Sequence, residues 1–187
     1  MTTALIVIDV QEEYFSGVLP IEHPPRESSL TKITESMDHA ADAGTPVVLV
    51  RHCSEPGEGS FEIGSATWAL RPEVAERPHD LLIDKRLPGS FTGTDLEAWL
   101  RDRGIDHVTI VGYMTNVCCD TTARQAIHMG MGATILHDAV GVPVQPDVDG
   151  QAVPAEVLHR AALAPLVLMG VTVSTTADWI ASHTTSV

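Results

Sequence analysis

The sequence predicts an α/β fold, a Rossmann-like doubly wound open sheet of about six parallel strands with helices on both faces. Two observations carry that expectation. Short apolar runs rich in Val and Ile recur along the chain, and stretches with helical spacing lie between them. The runs are nearly continuous rather than alternating, as strands buried on both faces require. Alternation of strand and helix builds βαβ units, whose right-handed crossovers bring loops to the carboxyl ends of the strands.

The strands are read at residues 4–10, 46–52, 80–84, 107–112, 133–137 and 171–174. Between them, residues 28–43 carry Leu30, Ile33, Met37 and Ala40 on one helical face and stop before Gly44. Thr94-Asp-Leu-Glu97 has the form of a capping box, with Leu96 and Leu100 behind it and a stop at Gly104. A third helix is read over 117–129, ending at Gly130, and a fourth over 154–169, where Pro165 is expected to kink it or end it early.

At 187 residues the chain is expected to form one domain, 1–187, with a full core. Its 44% hydrophobic and 19% charged residues fit an ordinary globular protein. The formal charge of −14 argues against nucleic acid, which is bound by clustered Lys and Arg. The apolar runs fall far short of the roughly 20 residues of a membrane helix. With no basic or signal-type N-terminal segment, the chain reads as cytoplasmic. A small-molecule substrate is the expected partner, with neither nucleic acid nor membrane. Three cysteines, Cys53, Cys118 and Cys119, suggest free thiols rather than a disulfide framework. No Cys/His cluster has metal-ligand spacing and no glycine-rich phosphate loop occurs, so neither metal nor cofactor is expected. His52 and His137 end strands and could line a cleft.

Three groups fall at the carboxyl ends of predicted strands: Asp9 closes the first, Lys85 follows the third, and Cys118 comes just after the fourth. In a parallel sheet these ends share one edge, so an acid, a base and a thiol could converge. Thr115 or Asn116 is read as a helix N-cap, which puts Cys118 in a first turn where the macrodipole would lower its pKa. Cys119, Ala123 and Ile127 form the apolar stripe, leaving Cys118 as the exposed cysteine. Each residue alone has a plainer reading: a turn Asp, a surface Lys, a core Cys. A non-catalytic binding protein and a thiol redox protein remain rival classes.

These residues resemble the isochorismatase-like cysteine hydrolases. The resemblance runs through Ala4-Leu-Ile-Val-Ile-Asp9-Val-Gln11, Asp84-Lys85, Ser90-Phe-Thr-Gly93-Thr94-Asp-Leu96 and Gly104–Cys118, and continues through Thr122–Ala126 and Asp138-Ala139. It implies a six-stranded parallel sheet, Asp9 as acid/base, Lys85 as the lysine and Cys118 as the nucleophile. It also implies a cis peptide between Tyr113 and Met114 that sets the Met114 N–H beside the Cys118 N–H as an oxyanion hole, and a homo-oligomer, dimer or tetramer. Nicotinamidases of the family carry an Asp-x-His metal motif after the second strand; this chain has Arg51-His-Cys53 instead. The resemblance therefore implies an amidase acting on a carbamoyl, ureido or related C–N bond without a metal, with a streptothricin-type lactam hydrolase as the alternative. Tyr14, Phe61, Trp68 and Tyr113 are candidate pocket walls.

Overall fold

The computed structural model describes residues 2–184, with the side chains of 183 and 184 outside the description. Six parallel strands form the sheet: β1 (Thr3–Ile8), β2 (Val47–His52), β3 (Leu81–Lys85), β4 (His107–Tyr113), β5 (Gly132–Gly141) and a last strand at Thr172–Ser174. Their spatial order is β3-β2-β1-β4-β5 and then the last strand. The direction of winding therefore reverses between β1 and β4. Ligand sites of open α/β sheets sit at that crevice, beyond the carboxyl ends of the strands.

The strands alternate their side chains between two cores. From β1, Ala4, Ile6 and Ile8 join one apolar cluster, while Leu5 and Val7 join the other. The first cluster is completed by α3 (Leu96–Asp102), α4 (Asp120–His128) and α5 (Ala155–Leu168), through Leu96, Leu100, Ala123, Ala126, Leu163 and Leu166. The second is covered by α1 (Arg26–Asp42), through Ile33, Met37 and Ala40, and by Trp179 of a terminal helix at Thr176–Thr184. Burial on both faces explains the unbroken apolar runs. One-turn α2 (Pro72–Ala75) precedes β3. None of the described helices is long and apolar enough to cross a membrane.

Gly112 of β4 lies directly beside Ile8 of β1. Its φ is 111°, and a Cβ there would stand 2.0 Å from the Ile8 carbonyl oxygen. Only glycine lets the two strands meet at the crevice.

Several local expectations are corrected. Thr94 does not close a capping box: its hydroxyl donates to the Ser90 carbonyl at 2.6 Å, and α3 begins two residues later. Helix α5 runs past Pro165 to Leu168, because Leu163 and Leu166 hold both sides of the proline onto the sheet. The polar segment after β5 contains a short antiparallel ribbon, β6 (Gln145–Pro146) with β7 (Ala152–Val153). The last strand, β8, is accordingly Thr172–Ser174, and α6 is Thr176–Thr184.

Candidate active site

Four adjacent strands each deliver one side chain to the same point: Lys85 from β3, His52 from β2, Asp9 just beyond β1, and Cys118 just beyond β4. Asp9 leaves β1 with a φ of 52°, a left-handed conformation that Asp adopts more readily than most residues. Its N–H donates to Val50 and its carbonyl accepts from the N–H of Gln11. From the sheet edge, Lys85 reaches past β2, two strand spacings of roughly 4.8 Å each. Its Nζ stops 2.7 Å from Asp9 Oδ2 and 3.4 Å from Cys118 Sγ. Both charged side chains are fully shielded from solvent.

Cys118 sits in a π-helical turn, Thr115–Cys119, that joins β4 to α4. The wide turn is closed by the Cys119 N–H donating to the Met114 carbonyl at 3.1 Å. Such turns often mark functional sites. Two expectations are corrected here. Neither Thr115 nor Asn116 caps the helix, which starts only at Asp120. Cys118 is not exposed either: it is 5% accessible, against 0% for Cys119. The ideal helical wheel behind the exposed reading does not apply to a π turn.

Burial also reverses the expected electrostatics. The Cys118 thiol is pushed up to about 12, first by desolvation and then by the Asp9 carboxylate; Lys85 pulls the other way without winning. The resting group is therefore a thiol beside a carboxylate and an ammonium. Burial alone would pull Lys85 down, but Asp9 and Cys118 together raise it, so it stays protonated. His52 is lowered, by burial and then by the Lys85 charge, with Asp9 opposing. Apart from Lys85 and the thiol, no donor among the described residues reaches the Asp9 carboxylate.

Residues 3–178 match the isochorismatase domain family. The protein YddQ of Bacillus subtilis strain 168, of the same family, is 32% identical over 179 residues, covering 94% of this chain and 97% of its own. The chain belongs to the isochorismatase family. A solved isochorismatase-type structure from Burkholderia xenovorans LB400 is 43% identical, with a TM-score of 0.94 over 97% of this chain and 87% of that one. A streptothricin hydrolase of Streptomyces noursei is 29% identical over 162 residues, 85% of this chain and 57% of that protein. The chain is thus an isochorismatase-family hydrolase built on the family's six-stranded sheet.

In this family member the peptide between Tyr113 and Met114 is cis. The four aromatic candidates are placed mostly behind the site. Tyr14 and Tyr113 are buried in the α1-side core, their rings 5.3 Å apart, and the Tyr113 hydroxyl shares a hydrogen bond with Ser29. Phe61 packs edge-on to His52 at 5.2 Å. Trp68 lies under the Arg51 guanidinium at 3.8 Å and donates its ring N–H to Cys53.

A cavity of about 300 Å³ opens beside the end of β3, lined by Cys53, Ile63, Asp84, Lys85, Leu87 and Thr92, among others; of the four site residues it touches only Lys85, whose side chain is itself fully buried. A larger one, about 560 Å³, lies over α1 between Glu12, Phe15, Arg26, Arg71 and Arg77 and includes none of the four site residues. The second is larger, but only the first borders a site residue, Lys85.

Asp9, His52 and Cys118 offer three ligand atoms within 4.8 Å of one another, a set that a divalent ion could bridge. The Lys85 ammonium already sits against all three, so a metal would have to displace it. The sequence resemblance includes Gln11 but assigns it no role. Fully buried, its amide donates to the carbonyls of His52 and Trp68 and accepts from the His52 N–H, each at 2.8 to 2.9 Å. The signal available was a glutamine three residues beyond the buried strand β1, where a buried amide has to find hydrogen-bond partners.

Proposed function

We propose that this protein hydrolyses a C–N bond of amide, carbamoyl or ureido type in a small molecule, through a thioester on Cys118. The observation that carries the reading is the Lys85 ammonium wedged between Asp9, at 2.7 Å, and the Cys118 sulfur, at 3.4 Å, in a water-excluded crevice. Because the thiol rests protonated, attack requires a base at hand, and Asp9 is that base. As Cys118 Sγ bonds to the carbonyl carbon, its proton passes to Asp9 while Lys85 offsets the charge developing on sulfur and oxygen. The N–H groups of Met114 and Cys118 hold the oxyanion, on the order of 3 kcal/mol per donor. Asp9 then gives its proton to the departing nitrogen. In the second half Asp9 takes a proton from water, which adds to the thioester; collapse releases the acid and restores the thiol. No metal or cofactor enters this scheme.

The cavity beside Lys85 is the proposed path for substrate. The relationship to a streptothricin hydrolase and the charge of −14 support a narrower reading, a cationic lactam as substrate. We also propose that the enzyme works in the cytoplasm as a homo-oligomer.

The test is hydrolysis of a panel of primary amides, ureido compounds and a streptothricin-type lactam, with released amine or ammonia as readout and intact-mass detection of an acyl adduct. Turnover with an adduct on Cys118, both abolished in Cys118→Ala, is expected. Turnover that survives in Cys118→Ala would sink the mechanism.

A further inference from the structure

The Asp, Lys and Cys of the proposed mechanism leave one neighbour unassigned. We infer that His52 is a positioning residue of this site, whose Nδ1 lone pair holds the third N–H of the Lys85 ammonium and thereby aims the other two at Asp9 and Cys118. The inference rests on the hydrolase reading for its effect on turnover, but not for its geometry.

A lysine ammonium has three N–H donors and no acceptor. Three acceptor atoms surround Nζ: Asp9 Oδ2 at 2.7 Å, His52 Nδ1 at 3.1 Å and Cys118 Sγ at 3.4 Å. Donors and acceptors match one to one. Since the ammonium can only donate, Nδ1 must carry the lone pair and the ring proton must sit on Nε2.

The rest of the structure is arranged to keep the ring there. Strand register sets His52 directly beside Lys85. The buried Gln11 amide grips His52 by both main-chain groups, accepting from its N–H at 2.8 Å and donating to its carbonyl at 2.9 Å. Phe61 closes on the ring edge-on. The charged and titratable groups that face the imidazole are Lys85 from β3, Asp9 beyond β1 and Cys118 in the π turn. Burial and the ammonium keep the ring neutral against the pull of Asp9, and neutrality is what the acceptor role requires. Without His52 the ammonium would hold a buried N–H with no partner, free to swing away from the carboxylate or the sulfur.

Two measurements test this. Nitrogen NMR of wild-type His52 at pH 7 should show a neutral ring, protonated at Nε2 with Nδ1 bare. An Nδ1–H tautomer or an imidazolium would overturn the inference whether or not any substrate is known. With a substrate from the panel, His52→Asn places a carbonyl oxygen where Nδ1 stood, whereas His52→Gln carries it one bond too far and His52→Leu removes it. The Leu and Gln variants should lose about 10- to 150-fold in kcat, the worth of one hydrogen bond to a charged group, with KM unchanged. The Asn variant should recover most of the loss. Asn and Leu variants equally impaired, or a loss confined to KM, would overturn the positioning role. Failure of the whole panel would count against the hydrolase reading alone, and the NMR result would still decide this one.

Discussion

Asp9 and Glu12 lie three residues apart, and each is paired with a cation, yet the two pairs belong to different physical worlds. Asp9 meets Lys85 at 2.7 Å with both side chains at 0% accessibility, while Glu12 meets Arg71 at 2.9 Å with both at 23%. Arg71 has a second carboxylate, Glu73 at 2.6 Å, and its guanidinium lies over the Phe15 ring. Lys85 has no second carboxylate among the described residues; its other contacts are a neutral ring and a thiol. Water screens the outer pair and can replace either partner. Nothing replaces a partner of the inner pair. The same contact distance therefore implies opposite consequences for stability, and the inner pair is a costly arrangement whose justification has to be chemical.

The largest expected effect follows directly. Lys85→Met should lower stability by about 3–5 kcal/mol, because it strands a buried carboxylate. Urea denaturation measures it. The double variant Asp9→Leu/Lys85→Met should recover much of the loss while remaining inactive, since the damage in the single variant comes from the orphaned charge rather than the missing contact. If the single variant cost no more than a surface pair, the contrast between the two regions would collapse.

The second effect concerns the thiol. Raised from an ordinary 9.0 to about 12, Cys118 should carry about a thousandfold less thiolate at neutral pH than an unhindered cysteine. Its alkylation by iodoacetamide, followed at the Cys118 peptide by mass spectrometry, should still climb at pH 11 without a plateau, whereas the urea-denatured chain should level off at about pH 10. The same shift makes the fold lose stability as pH rises from 9 toward 12, because the unfolded chain releases this proton first. The buried Tyr14 and Cys119, also shifted upward, add to that loss in the same direction. An early plateau near neutral pH would mean a preformed thiolate and would remove the need for Asp9 as base in the attack.

Much of this arrangement was legible in the sequence, and the limits have physical causes. Strands buried on both faces announce themselves as unbroken apolar runs, so the sheet and the edge shared by Asp9, Lys85 and Cys118 could be read directly. What could not be read depends on neighbours distant in sequence. The depth of Cys118 is set by a π turn packed between β4, α4 and α5, where Thr115 bonds His159 at 3.0 Å, and local spacing assumes an ordinary helix instead. Gln11 and His52 acquire their roles from the adjacency and register of β1, β2 and β3, which periodicity does not encode. Pro165 stays inside a helix because Leu163 and Leu166 anchor it, a tertiary contact that overrides a local rule.

The smallest effect sharpens the comparison from the other side. Glu12→Gln removes one carboxylate from Arg71 but leaves Glu73 and the Phe15 ring in place. The expected cost is about 0.2–1 kcal/mol, the range of partly exposed pairs, and it should shrink further in high salt. Lys85→Met should show no comparable salt dependence, because counterions do not reach a pair with no accessible surface. Running both variants through urea denaturation at low and high ionic strength separates the two regimes by salt response as well as by size. A salt-sensitive Lys85→Met would mean that water and ions enter the crevice, and the thiol would then sit well below the value that its burial imposes.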